Sequence, residues 1–218
     1  MPLQNRVTPR GDLVAVAARG LLMGNRGRLH DAARGIVRRQ VRSYRAWVTC
    51  LLVFRGRRRR VMTPGRYTEL FFLDEATALA AGHRPCGECR RADHRRFKAA
   101  WLAGNPERGL APGVPIGAID RELHRDRLTP EGLQRTFAAD LACLPDGVFV
   151  DHRAHPPPML IWAGALWPWT PAGYGDPEAT PAAGAVTVLT PRSTVRALAA
   201  GYTPSVHGSA GRADGGGR

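Results

Sequence analysis

The chain has 218 residues, enough to bury a hydrophobic core without disulfides, and its 44% hydrophobic content is typical of a globular protein. No apolar run approaches the ~18 residues of a membrane-spanning helix, and the first residues lack the apolar segment of a signal peptide, so we expect a cytoplasmic protein. The 32 basic residues outnumber the 18 acidic ones, and the resulting net charge of +14 favours a polyanionic partner, above all DNA.

The first half of the chain is predicted to contain two strands and two helices. Residues 1–43 form a basic segment rich in Gly and Arg, with few helix signals. Aromatic and β-branched residues predict strands over 44–54 and 66–73. Asp74 is expected to cap a helix that ends at Gly82. A second helix is expected over residues 91–104, with two aromatic residues on its buried face, Phe97 and Trp101.

The segment after this second helix is predicted to form a separate domain. Residues 105–115 are a Pro- and Gly-rich loop that we take as the boundary. Apolar spacing predicts one helix around Ile119 and Leu123. Another helix is expected to begin at the N-cap Thr129 and to bury a stripe of three apolar residues, namely Leu133, Phe137 and Leu141.

The remaining elements are predicted to be mostly strands, and they complete an α+β fold. They are a turn that leads into a strand over 144–150, a hairpin over 158–170 that turns at Ala163-Gly164, a strand over 185–189, and a helix capped by Thr190-Pro191 and ended by Gly201. The predicted domain organisation is a basic N-terminal segment (1–43), a metal-binding β-α unit (44–104), a helical and β-hairpin domain (105–205) and a disordered tail (206–218).

The cysteines point to a metal site. The chain contains four of them, Cys50, Cys86, Cys89 and Cys143. In a reducing cytoplasm a disulfide framework is not expected, which leaves metal ligands or buried thiols. The Cys86-x-x-Cys89 pair supplies half of a tetrahedral zinc site, and Cys50 on the preceding strand is the expected third ligand. The fourth ligand is left open among His83, His94 and a water molecule.

Residues 69–91, ELFFLDEATALAAGHRPCGECRR, resemble the second half of the metal-binding domain of the Ada family, which repairs DNA methylphosphotriesters. The matching signature consists of Ala81, Gly82, Arg84, Pro85, Cys86, Cys89 and Arg90. The resemblance implies a small zinc-knuckle β-α unit, a bound zinc ion and a DNA-facing surface with a link to alkylation repair. The family takes two more thiolates from an upstream Cys-x3-Cys, one of which accepts the methyl group. Here Cys50 has no second cysteine at that spacing.

The predicted function is therefore a DNA-binding protein with an Ada-like zinc knuckle. Arginine suits phosphate because its planar fork donates two hydrogen bonds at once. The expected DNA contacts are Arg57, Arg58, Arg59, Arg60, Arg84, Arg90, Arg91 and Arg95. Two alternatives stay open: an enzyme acting on DNA, either a methyl acceptor through Cys50 or a nuclease, and a non-catalytic interaction protein. No catalytic residue is assigned, since His124 lacks the partner that a nuclease site needs.

Overall fold

The computed structural model describes residues 1–31, 35–38, 40–41, 43–56, 60–152, 157–181 and 183–211. Helices and sheets both occur there, as in the predicted α+β class. Three of the arginines predicted to contact DNA, Arg57, Arg58 and Arg59, lie outside the described residues. None of the helices in the described part of the chain is both long and apolar enough to cross a membrane.

The described chain consists of short strands and four α-helices, with most of the strands in two runs, one before the first helix and one between the third and fourth helices. The elements of its first half are β1 (Gln4–Val7), β2 (Leu13–Ala15), β3 (Leu22–Asn25), β4 (His30–Asp31), β5 (Gly35–Ile36), β6 (Val48–Leu51), β7 (Leu70–Phe72), α1 (Glu75–Ala80), β8 (Arg84–Pro85) and α2 (Arg91–Gly104). Those of its second half are a 3-10 helix (Pro106–Arg108), α3 (Ile116–Arg127), β9 (Phe137–Asp140), a 3-10 helix (Leu141–Cys143), β10 (Phe149–Asp151), β11 (Met159–Trp162), β12 (Ala165–Thr170), β13 (Gly173–Tyr174), β14 (Glu178–Ala179), β15 (Ala185–Val188) and α4 (Arg192–Ala199).

Two sheets carry the fold. The first has six strands in the order β2-β1-β7-β3-β6-β8, in which β1 pairs with β7, and β6 with β8, in parallel. The second is antiparallel and has seven strands in the order β13-β12-β11-β10-β15-β9, with β14 beside β12. Strands β4 and β5 form a separate two-stranded ribbon. The predicted strands of the first half thus belong to the first sheet, and those of the second half to the second sheet.

The main hydrophobic core lies between helix α2, helix α4 and the second sheet. Phe97 and Trp101 on α2 are fully buried, as predicted, and the Phe97 ring meets the Tyr202 ring edge-on at 5.2 Å. Val150 and Val188 of the second sheet belong to the same cluster. The core therefore joins residues on both sides of the loop that was taken as a domain boundary, and the boundary itself stays a prediction.

Several local predictions are confirmed because their turn chemistry is satisfied. The Asp74 carboxylate accepts a hydrogen bond from the Thr77 backbone N–H at 2.8 Å, and so caps α1. Gly82 follows the end of α1 with φ of +82°, in the left-handed region where a glycine carries no Cβ penalty. The β11–β12 hairpin turns at Ala163 and Gly164, which both have positive φ.

The helix predicted to begin at Thr129 is wrong. Residues 129–132 instead form a turn in which Gly132 has φ of +86°, a conformation that ends helical geometry. Phe137 then begins strand β9, which pairs with β15 at the edge of the second sheet. Leu133 of the predicted buried stripe is 57% exposed. The backbone hydrogen bonds of β9 to β15 thus take precedence over the helical spacing of its apolar residues.

Strands that the sequence analysis does not predict lie within the basic, Gly- and Arg-rich residues 1–43. Strands β1, β2 and β3 lie in this segment and belong to the first sheet. The β1–β2 hairpin turns at Gly11, which has φ of +74°, and the Gly11 N–H donates to the Thr8 carbonyl at 2.8 Å. The Thr-Pro-Arg-Gly-Asp turn between apolar positions, here buried Val7 and Leu13, is the sequence signal for this hairpin.

Two features near the C-terminus concern the predicted cap of the last helix and the predicted disordered tail. The Thr190 hydroxyl accepts a hydrogen bond from the Phe149 N–H at 2.9 Å, whereas α4 begins after Pro191 without a side-chain cap. Residues 206–211, within the predicted tail, contact the folded chain: the His207 N–H donates to the Asp74 carboxylate at 2.9 Å. The rest of the predicted tail, 212–218, lies outside the described residues.

The close packing of α2 against α4 predicts opposite effects for two glycine substitutions. A Cβ added at Gly104 would lie 2.3 Å from the Arg196 carbonyl oxygen, whereas one added at Gly117 in α3 would meet nothing within 4 Å. Gly104→Ala should therefore lower the free energy of unfolding by ~1–3 kcal/mol. Gly117→Ala should leave it unchanged or raise it by up to ~1 kcal/mol. Urea denaturation of both variants measures this, and equal stability would contradict the packing.

Candidate metal centre

The parallel pairing of β6 with β8 brings Cys50 and Cys86 together. In this pairing Val48 lies opposite Arg84 and Thr49 opposite Pro85. The Cys86 N–H donates to the Thr49 carbonyl at 2.9 Å, which extends the pairing by one step. The next residue on each strand is a cysteine, so the two side chains become neighbours across the sheet edge.

A tight turn after Cys86 brings Cys89 close to both Cys50 and Cys86. The Arg90 N–H donates to the Cys86 carbonyl at 3.2 Å, and helix α2 begins at the next residue. The three sulfur atoms of Cys50, Cys86 and Cys89 all lie within 4.8 Å of one another, so these three cysteines can hold a metal ion. No other group of three or more His, Cys, Asp or Glu ligand atoms converges in this way among the described residues. Cys143 is exposed and does not belong to the cluster.

The arginines of the signature fix this turn from inside the protein. Arg84 donates from Nε and from a terminal nitrogen to the two carboxylate oxygens of Asp120 on α3, each at 2.7 Å. The Arg84 side chain is 5% exposed and the Asp120 side chain 6%. The predicted DNA contact by Arg84 therefore competes with a buried ion pair that ties strand β8 to helix α3.

Arg90 is likewise engaged within the chain. Its guanidinium donates to the Thr49 hydroxyl at 2.9 Å and lies 2.9 Å from the Glu75 carboxylate, and only 4% of the side chain is exposed. It also contacts Asp93 one helical turn ahead. Arg84 and Arg90, both predicted to contact DNA, thus hold the elements that carry the cysteines.

The other predicted DNA contacts in the described chain lie on the surface. Arg91 and Arg95 are exposed and one turn apart on α2, directly after the cysteine pair. Arg60 is exposed in the loop between β6 and β7. With other described residues, these three arginines form no buried ion pair of the kind that holds Arg84 and Arg90.

The thiols of the cluster differ in acidity. The hydrogen bond from the Cys50 thiol lowers the pKa of Cys86 to about 5, with further help from the backbone N–H groups of Cys89 and Glu88. The same hydrogen bond, together with burial, raises the pKa of Cys50 well above its usual range. Burial also raises the pKa of Cys89, although the Leu51 N–H stabilises its thiolate. In the absence of a metal, Cys86 is therefore the thiol of the cluster that ionises most readily.

Neither histidine expected as a fourth ligand belongs to the cluster. The His83 ring is buried, with its centroid 5.1 Å from that of Trp47 and 4.7 Å from that of Phe72, and burial lowers its pKa well below the usual value. His94 Nδ1 lies 3.1 Å from the Pro85 carbonyl oxygen, to which it donates. His124, which was considered for a nuclease site, lies near the C-terminal end of α3, where its Nδ1 contacts the Arg127 guanidinium. Within the described chain, the cluster thus offers three ligands from the protein.

A cavity of about 250 Å³ opens beside the sulfur atoms and is bordered by all three cysteines. Its walls are mainly apolar and are formed by Met23, Leu51, Leu52, Phe54, Val61 and Phe71. Two acidic residues, Glu69 and Glu88, also border it. The sequence alone does not predict this cavity, because Met23 lies opposite Cys50 only through the pairing of β3 with β6.

Comparison with known proteins adds no assignment. No protein-family model, no curated protein and no solved structure matches this chain. The resemblance of residues 69–91 to the Ada metal-binding domain therefore stays a prediction.

The acidity of Cys86 predicts the order in which the thiols react. One unit above a pKa of about 5, near pH 6, roughly 90% of Cys86 is thiolate, and the thiolate is the nucleophile. In metal-stripped protein iodoacetamide should therefore alkylate Cys86 before Cys50 and Cys89, whose pKa values are raised. Peptide mapping by mass spectrometry over a time course measures the order. Earlier labelling of Cys50 would contradict the proposed charge distribution.

Proposed function

We propose that this chain is a zinc-binding protein whose ligands are Cys50, Cys86 and Cys89, and that it binds DNA through the arginines beside this centre. The observation that carries the zinc assignment is the convergence of three cysteine sulfurs within 4.8 Å of one another. They come from two separate elements, a strand and the turn before a helix, as is usual for zinc sites.

The donor set fits zinc by size and by chemistry. A tetrahedral site with Zn–S bonds of ~2.3 Å places its sulfurs ~3.8 Å apart, which the observed cluster accommodates. Thiolates are soft ligands that favour zinc over magnesium or calcium. When bound, zinc would supply positive charge that keeps all three thiols ionised.

Backbone N–H groups donate hydrogen bonds to two of the three sulfur ligands. The Glu88 N–H donates to the Cys86 sulfur at 3.4 Å, and the Leu51 N–H stabilises the Cys89 thiolate. Such N–H groups disperse the negative charge of the sulfurs and fix their orientation. These contacts favour the ionised, metal-binding form of both residues.

The DNA assignment is supported by charge. The net charge of +14 creates a field that attracts polyanions, and Arg60, Arg91 and Arg95 are exposed within the sequence region of the cysteines. A link to alkylation repair rests on the resemblance of residues 69–91 to the Ada family. The proposed DNA surface therefore consists of exposed arginines, whereas Arg84 and Arg90 support the metal-binding turn.

Metal analysis tests the zinc proposal. Protein purified without added zinc should contain about one zinc per chain. Replacement of Cys50, Cys86 or Cys89 by serine should each reduce the content to a small fraction of that value, because two sulfurs hold zinc far more weakly than three. Cys143→Ser is the matched control, since Cys143 is exposed and outside the cluster. Equal zinc content in the Cys86→Ser and Cys143→Ser proteins would refute the assignment.

The salt dependence of binding tests the proposal that exposed arginines contact DNA. The double variant Arg91→Gln, Arg95→Gln should bind duplex DNA more weakly and reduce the slope of log K against log salt by up to about two, one for each lost phosphate contact. Arg19→Gln with Arg121→Gln removes the same charge from exposed positions elsewhere and should change the slope less. Fluorescence anisotropy at several salt concentrations provides the slopes. If both pairs weaken binding equally, α2 has no specific role.

A further inference from the structure

The cavity beside the cysteines has the position of a ligand site. Cys50, Cys86 and Cys89 all border it, so a metal ion held by their sulfurs would have the cavity next to it. Zinc takes four ligands in most protein sites, and sites with three protein ligands leave one position for water or a substrate. The described chain offers three ligands here. The cavity is therefore the place from which a fourth donor can come.

The walls of the cavity select an apolar ligand of limited size. Leu52, Phe54, Val61 and Phe71 present aliphatic and aromatic surface, from which a hydrated, charged group gains nothing. A volume of about 250 Å³ corresponds to about eight non-hydrogen atoms, if each takes the ~30 Å³ of a water molecule. The site thus suits a molecule as large as a substituted benzene.

The charge of the proposed metal centre disfavours a ligand whose body is anionic. Three thiolates and one zinc ion would carry a net charge of −1, and the acidic residue Glu69 is among those that border the same cavity. Glu69 is 3% exposed, and one of its oxygens accepts a hydrogen bond from the Met62 N–H at 2.8 Å. A second negative group in the ligand would be repelled at close range, so the ligand's body is uncharged.

We propose that this cavity binds a small uncharged thiol with an apolar body, whose sulfur occupies the fourth position on the metal. This proposal rests on the proposed zinc centre. A sulfur donor matches the soft, thiolate-bound metal better than an oxygen donor of the same shape. With a metal bound by the three cysteines, the S–H bond of the ligand would break, its proton would pass to the solvent, and the sulfur would supply the fourth donor. No electron is transferred.

Cobalt substitution makes the fourth position visible. Co²⁺ in place of zinc gives absorption bands that report the number and type of its ligands. Benzyl thiol should change the visible bands and strengthen the sulfur-to-metal charge-transfer band in a saturable manner. Benzyl alcohol, which has the same shape with oxygen in place of sulfur, should bind at least about tenfold more weakly. The anionic thiol 2-sulfanylethanesulfonate should also bind at least about tenfold more weakly, because of charge repulsion.

A cavity-filling variant tests the location. Val61→Trp places an indole in the cavity wall and should weaken the benzyl thiol response about tenfold or more. Val37→Trp is the matched control, since Val37 is exposed and lies outside the cavity, and it should respond as the unaltered protein does. Leu52→Trp, with Leu133→Trp as its control, repeats the comparison at a second, exposed wall residue.

The outcomes separate the two proposals. A protein that binds no cobalt at Cys50, Cys86 and Cys89 refutes the metal centre itself. A protein that binds about one cobalt per chain, but whose spectrum is unchanged by benzyl thiol, keeps the metal centre and overturns the thiol site. Equal responses of Val61→Trp and Val37→Trp would likewise overturn it, since the thiol would then reach the metal without entering the cavity.

Discussion

The buried ion pair between Arg84 and Asp120 is the contact on which the arrangement of the cysteines depends. Strand β8 has only the residues Arg84 and Pro85, and so short a strand gains little from its backbone hydrogen bonds. The bidentate contact of Arg84 with helix α3 holds this strand against β6, so that Cys86 follows in register beside Cys50. Removing one partner of such a pair would leave an uncompensated buried charge, which costs about 3–5 kcal/mol. The turn that carries two of the three sulfurs therefore rests on a helix from the other half of the chain.

Arginine serves two purposes in this protein, and sequence does not separate them. Arg84 and Arg90 are spaced along the cysteine motif like residues that present charge to a ligand, yet their guanidinium groups are buried against carboxylates. Arg91 and Arg95 lie only a few positions further along the chain and are exposed. The number of arginines thus overstates how many guanidinium groups face the solvent, although each buried pair leaves the net charge unchanged because it also removes one carboxylate. The distinction depends on which acidic residue the fold brings opposite each arginine.

The sequence predicted best those features that local chemistry determines. Helix α2 occupies the predicted residues 91–104 with Phe97 buried, since its apolar spacing and its terminal glycine agree. The meeting of Cys50 with the cysteine pair was predictable because strand, capped helix and turn follow one another within a short segment. The strand at 137–140 was not, because its pairing with β15 is a contact between distant residues. The cavity was missed for the same reason: Met23 and Glu69 reach the cysteines only through the assembled first sheet.

A metal ion in the cysteine cluster would also cross-link two distant positions of the chain. Cys50 and Cys86 are 36 positions apart (86 − 50), and between them lie strand β7, helix α1 and strand β8. A metal ion held by both residues closes this segment into a ring, as a disulfide would, while both cysteines stay in the thiolate form. By the chain-entropy estimate for a loop of this length, such a closure disfavours the unfolded chain by about 4 kcal/mol. Metal supply would then act on the folding equilibrium of the first sheet as a reversible cross-link, which a chelator can open without any change in redox state.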